Sequence, residues 1–223
     1  MTRDLPQTRA KAPMACFEEL SDADRKASLH AMLAERPASG EIWVFAYGSL
    51  IWRPCFDYAE RLTAALAGYR RRFSVWTVIA RGTPATPGLA LALEAGDGAC
   101  RGVAFRLAPS HALAGLESLW ARELLTTIYR PRWLTVTVEA RPVTAITFVV
   151  EKSDAQYAGV LPAAEQAAII AAAQGKLGSC RDYLANTVAE LAALGIDEAW
   201  MTALLREVDA IAARNIGQNA PEP

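Results

Sequence analysis

Histidine and cysteine are scarce in this chain: His30 and His111 are the only two histidines of 223 residues, and Cys16, Cys55, Cys100 and Cys180 the only four cysteines. Neither histidine has a metal-ligating neighbour at a usual spacing, so no zinc site is expected. A Ser-His-Asp triad would have to recruit one of them. His30 falls in an N-terminal helical pattern and His111 in the first turn of another, and both read as structural. The cysteines are scattered, with neither Cys-x-x-Cys nor disulfide-scaffold spacing, which points to a reducing, cytoplasmic compartment. No apolar run reaches the length of a membrane span, and the N-terminus lacks a hydrophobic signal core. A net charge of −1 gives no electrostatic ground for nucleic acid or an anionic membrane. Gly-x-Gly-x-x-Gly and the P-loop are missing too, so no nucleotide cofactor is expected.

What is present suits a globular protein. A hydrophobic content of 52% against 21% charged residues is ordinary for that class, and the length suffices to bury a sizeable core. A polar arm carrying Pro6 and Pro13 precedes a helix that opens at Ser21, with Asp24 three residues on, and runs to about Glu35. Strand patterns follow at Trp43–Phe45, Ala64–Trp76, Gly88–Leu93, Gly102–Leu107, Trp133–Glu139 and Val143–Val150. Gly96-Asp97-Gly98 is expected to turn between the third and fourth, and Arg141-Pro142 to split the last two. In Arg70-Arg71-Arg72, alternation turns at least one arginine to the other face from its neighbours, and a solvated strand face is the expected account. A helix starts at Pro109-Ser110 and extends to about Thr127; three more occupy about 162–174, 180–194 and 197–213, before a frayed end from Gly217. Strands first and helices late predict an α+β fold, a closed or nearly closed sheet with helices outside. Residues 1–40 form an arm and helix, and 41–215 a single domain.

Two features carry chemistry. Trp43-Val44-Phe45 is a short buried strand that runs into Tyr47-Gly48-Ser49, where a glycine free to take positive φ follows the strand at once. Such a turn is either a plain connection between core segments or a concavity of backbone N–H groups that holds an anion. The second feature is Glu123. At about 100° per residue from Leu113, Leu119, Leu116, Trp120 and Leu124 cover an arc from roughly 240° to 20°, and Glu123 falls inside it near 280°. Arg122 falls on the opposite face, at about 180°. A carboxylate among apolar side chains is either paired with a core arginine such as Arg53 or Arg81, or has a raised pKa suited to moving protons near neutral pH. Tyr129, just past the helix, either places its hydroxyl beside that carboxylate or packs with its OH at the surface.

The order of these pieces resembles the ChaC-type γ-glutamylcyclotransferases. Trp43 to Trp52 is similar to that family's signature turn. Gly68-Tyr69-Arg70-Arg71-Arg72-Phe73, Arg81-Gly82-Thr83 with Pro87-Gly88, Gly102-Val103-Ala104-Phe105-Arg106, Arg122-Glu123, Gln156-Tyr157-Ala158-Gly159 and Asp182-Tyr183-Leu184 then follow in the family's order. This chain departs at Ile128, where the family often has glycine, and at Ser153-Asp154, where asparagine is common. The resemblance implies a small mixed β-barrel flanked by helices. It also implies a cytosolic enzyme that converts glutathione to 5-oxoproline and Cys-Gly without a cofactor. Under it, the turn Ala46, Tyr47, Gly48, Ser49, Leu50 and Ile51 holds the γ-glutamyl group, and Glu123 accepts and returns the proton. Tyr129 is a candidate substrate-binding residue, and Arg81 and Tyr157 are candidates for gripping the glutathione tail. Two other outcomes share these residues: cyclisation of other γ-glutamyl amines, and a silent module that only binds γ-glutamyl ligands.

Overall fold

The computed structural model describes residue 17 and residues 19–37 and 40–218, with side chains to 214. The arm with Pro6, Pro13 and Cys16 and the last five residues lie outside the described residues.

Five strands close into a barrel in the order β1-β3-β2-β4-β5. β1 (Trp43–Ala46) is buried at all four positions, as a strand covered on both sides must be. It pairs antiparallel with β3 (Gly88–Leu107) and parallel with β5 (Arg141–Val150) through Trp43↔Ala145 and Val44↔Ile146, so the sheet is mixed. β2 (Tyr58–Thr77) and β3 form one hairpin of 20-residue strands. The expected turn at Gly96-Asp97-Gly98 is a bulge inside β3. Ala67 pairs with Ala99 and Tyr69 with Ala95, so Gly68 alone opposes three residues. Gly68 (φ 77°) and Gly98 (φ 93°) supply the left-handed backbone that this mismatch needs. Two expected strands are therefore one. β4 (Tyr129–Val138) and β5 are joined at Glu139-Ala140, not at Arg141-Pro142. Both turn residues have positive φ (47° and 62°), and Pro142 sits within β5 opposite Thr137.

The helices lie outside the barrel, as the α+β reading requires. Ser21 Oγ accepts from the Asp24 N–H (3.1 Å) to start α1 (Asp22–Ala34). α2 (Ala112–Glu123) begins only after a 3₁₀ turn at Pro109–His111 and stops at Glu123, short of the expected Thr127. α1 is fastened by the Trp120 indole N–H to Ser28 Oγ (3.2 Å) and the Trp133 indole N–H to the Met32 carbonyl (2.9 Å). α3 (Ala163–Ala172) leads through a two-stranded ladder, β6 (Gln174–Gly175) and β7 (Gly178–Ser179), into α4 (Cys180–Ala193). Ser179 caps α4 through the Asp182 N–H (3.0 Å), and α5 (Ala199–Gln218) follows. The solvated face expected of the triple arginine is not uniform. Alternation turns Arg71 inward, its side chain 1% exposed, with Nε 3.2 Å from Glu198 Oε1 just before α5. Arg70 and Arg72 stay half-buried.

Candidate functional site

β1 delivers the chain to the barrel's end at Tyr47 and Gly48, and a 3₁₀ turn over Ser49–Ile51 bends it away. Ile51 N–H donates to the Gly48 carbonyl and Arg53 N–H to that of Ser49, both at 2.9 Å. The amides of Tyr47, Gly48, Ser49 and Leu50 donate to no backbone acceptor among the described residues. Backbone donors left open beside a cavity form a cradle for negative charge. Gly48 has φ −138°, so the positive φ expected of it is not used. Space is what calls for glycine: a Cβ here would lie 3.3 Å from the Tyr183 hydroxyl and 3.7 Å from Leu91 Cδ1.

The turn forms one wall of a cavity of about 470 Å³. Arg122 and Glu123, at the end of α2, face the same space, as do Tyr129 from the start of β4 and Tyr183 from α4. Trp52, Leu91 and Phe148 make much of the remaining wall apolar, and Arg81 also lines the cavity. Ala46 and Ile51 do not line this space; they are core residues, 1% and 2% exposed.

The helical arithmetic for Glu123 holds to the end of α2, where Leu116, Leu119 and Trp120 are fully buried. Its side chain is 17% exposed and makes no hydrogen bond among the described residues. Its ion pair is with Arg122, Nε to Oε1 at 3.3 Å, and not with Arg53 or Arg81. Desolvation raises the carboxyl's pKa above the usual glutamate value, and the Arg122 guanidinium acts in the opposite direction. Arg122 is not on a solvent face either. Because α2 ends one residue later, its side chain folds back over the turn, donating to Ser49 Oγ (2.9 Å) and to the Arg53 carbonyl.

Three buried phenols surround the carboxylate. Tyr47 donates to the Phe148 carbonyl (2.9 Å), Tyr129 donates to the Leu91 carbonyl (2.8 Å), and Tyr183 accepts from the Leu91 N–H (3.4 Å). Burial pushes each phenol's pKa up, so all three stay neutral at physiological pH. Arg81 lies over the Tyr183 ring at 5.7 Å and donates to the Ser179 carbonyl (3.3 Å). Tyr157 is elsewhere: its hydroxyl points at Glu94 (3.3 Å), outside the cavity. Its neighbour Gln156 lines the cavity instead, donating to the Trp76 carbonyl (2.8 Å). Sequence reasoning passed over Arg122 and Tyr183 as site residues. A helical wheel assigns Arg122 outward because it ignores where the helix stops, and Tyr183 reaches the site only through tertiary packing.

The site is thus a cavity at the end of a closed mixed barrel, with a helix-end carboxylate and a turn of open amides on its walls. Residues 42–211 match the ChaC-like protein family, and the chain belongs to that family. It is 36% identical over 228 residues to the glutathione-specific γ-glutamylcyclotransferase of Escherichia coli K12, covering 100% of this chain and 98% of that one. It is 33% identical over 177 residues to γ-glutamylcyclotransferase 2-3 of Arabidopsis thaliana, covering 75% of this chain and 88% of the relative. Among solved structures, the γ-glutamyl cyclotransferase specific to glutathione from yeast superposes with a TM-score of 0.71 at 26% identity, covering 76% of this chain and 96% of that one.

Proposed function

We propose that the chain is a glutathione-specific γ-glutamylcyclotransferase, an enzyme that closes the γ-glutamyl group of glutathione to 5-oxoproline and releases Cys-Gly. One observation carries the reading: an incompletely paired carboxylate of raised pKa, Glu123, faces the same cavity as the open amides of Tyr47–Leu50. Family membership and the names of full-length relatives support the same activity. No helix among the described residues is long and apolar enough to cross a membrane. A cytoplasmic location rests on the scattered cysteines.

The chemistry is intramolecular. The substrate's α-ammonium loses a proton to Glu123, and the freed amine nitrogen attacks the γ-carbonyl carbon to form the lactam C–N bond. The attacking nitrogen gives up its second proton, and the tetrahedral intermediate collapses with cleavage of the bond to the cysteine nitrogen; Glu123 delivers the proton it holds to that nitrogen, and Cys-Gly leaves with both protons as its ammonium. Nucleophile and electrophile share one molecule, so the cavity chiefly has to fold the substrate into an attacking conformer. The amides of Tyr47–Leu50 stabilise either the α-carboxylate or the oxyanion, and Tyr129 lies against the reacting end. Arg81, which lines the cavity, is the candidate cation for the glutathione tail. Ser49 has no base beside it, its hydroxyl being engaged by Arg122, so an acyl-enzyme forms no part of the scheme.

The test is purified protein with glutathione, with 5-oxoproline and Cys-Gly measured, beside γ-glutamyl amines as competing substrates. Equimolar products from glutathione alone are expected. Turnover of the amines in preference would move the reading to a sibling cyclotransferase; binding without turnover of any would reduce it to a γ-glutamyl-binding module.

A further inference from the structure

Arg122 makes three polar contacts that join two otherwise separate parts of the site. Its Nη2 donates to Ser49 Oγ at 2.9 Å, its Nη1 donates to the Arg53 carbonyl, and its Nε lies 3.3 Å from Glu123 Oε1. The first two partners belong to the turn that follows β1; the third is the carboxylate at the end of α2. A guanidinium is planar and presents its donors in a fixed fork, so holding all three fixes their mutual distances as a flexible ammonium cannot. The Arg122 side chain is 26% exposed, and its contact with Ser49 Oγ is part-buried.

We propose that Arg122 is a positioning residue for the cyclisation: it holds the Glu123 carboxylate in register with the open amides of the turn. The proposal rests on the reading that Glu123 is the acid–base group. One carboxylate oxygen is engaged by Nε and the other accepts no hydrogen bond among the described residues, so a single oxygen is free to serve as proton acceptor and donor. Loss of the fork frees the carboxylate to rotate about its terminal torsions, and a misplacement on the order of 1 Å can cost about 10²-fold in rate. Loss of the charge removes the influence opposing desolvation, so Glu123 would hold its proton to higher pH.

The two effects separate in two variants. Arg122→Gln removes both fork and charge: kcat is expected to fall about 10²-fold, with a smaller change in KM, and the acid limb of the kcat profile to move to higher pH. Arg122→Lys retains the charge without the fork: kcat falls similarly, while the acid limb stays near the wild-type position. Wild-type turnover of glutathione is measured first, so a failure of the function reading is seen before either variant is assayed. Wild-type kcat in either folded variant, or an unmoved acid limb in Arg122→Gln, overturns the proposal. Thermal melts check folding, and if Arg122→Gln does not fold, kcat of Arg122→Lys alone decides.

Discussion

Under the proposed scheme, Glu123 trades stability for chemistry. Its folded-state pKa is raised above 4.5, so folding favours the protonated form. That contribution is full below 4.5 and is lost as pH rises through the raised value, where ionisation must occur in a largely desolvated place. Glu123→Gln removes this pH-dependent penalty. Its melting temperature is expected to equal or exceed that of the wild type at neutral pH, the gap narrowing as the pH falls toward 4.5. Turnover should drop by about 10²–10⁴-fold, the usual worth of general acid–base help. The wild-type rate should itself decline as pH falls through the raised pKa, because a protonated Glu123 cannot accept the ammonium proton. A Glu123→Gln variant with near-wild-type turnover would remove the proton shuttle. Gly48 gives a complementary case: the added methyl of Gly48→Ala meets the Tyr183 hydroxyl at 3.3 Å, inside the cavity. Activity is expected to fall at least tenfold while the melting temperature moves by only a few degrees; unaltered kcat/KM would show that the space is not used.

At the scale of elements, what could be read from sequence was what local chemistry specifies. Ser21 with Asp24 marks the start of α1, and the apolar stripe of α2 marks Glu123 as anomalous. Gly96-Asp97-Gly98 misled because the same left-handed freedom serves a hairpin turn and a bulge, and only the partner strand decides between them. The turn joining β4 and β5 was expected two residues late, at Arg141-Pro142, for the opposite reason. Glu139 and Ala140 carry no turn signal, yet both sit at positive φ, where a Cβ costs about 1–2 kcal/mol per residue. Ala140→Gly should therefore stabilise the protein by about 0.5–1 kcal/mol in denaturant unfolding, despite the larger entropy of the unfolded chain. A loss of stability would mean that the Ala140 side chain makes a compensating contact.

For the molecule as a whole, closure of the barrel joins residues about a hundred positions apart, such as Trp43 with Ala145, and no short-range signal encodes such a meeting. The same holds for Arg71 and Glu198, which tie β2 to the approach of α5. Glu198→Ala leaves a guanidinium 1% exposed without its counter-charge and is expected to cost about 2–4 kcal/mol; Arg71→Met should cost less, since it removes the buried charge itself. The reverse order in chemical denaturation would show that the pair contributes through packing alone. Cavity polarity is also set by long-range meetings. Tyr47 and Tyr129 each commit their single phenolic hydrogen to a main-chain oxygen, at Phe148 and at Leu91. Toward the ligand those two rings can offer only lone pairs, which welcome a cation such as an ammonium. Tyr183, which receives at Leu91 instead of giving, keeps its hydrogen to spend on an anion beside Gly48. A zwitterion entering this chamber thus meets walls already sorted by sign before any ionised side chain acts on it.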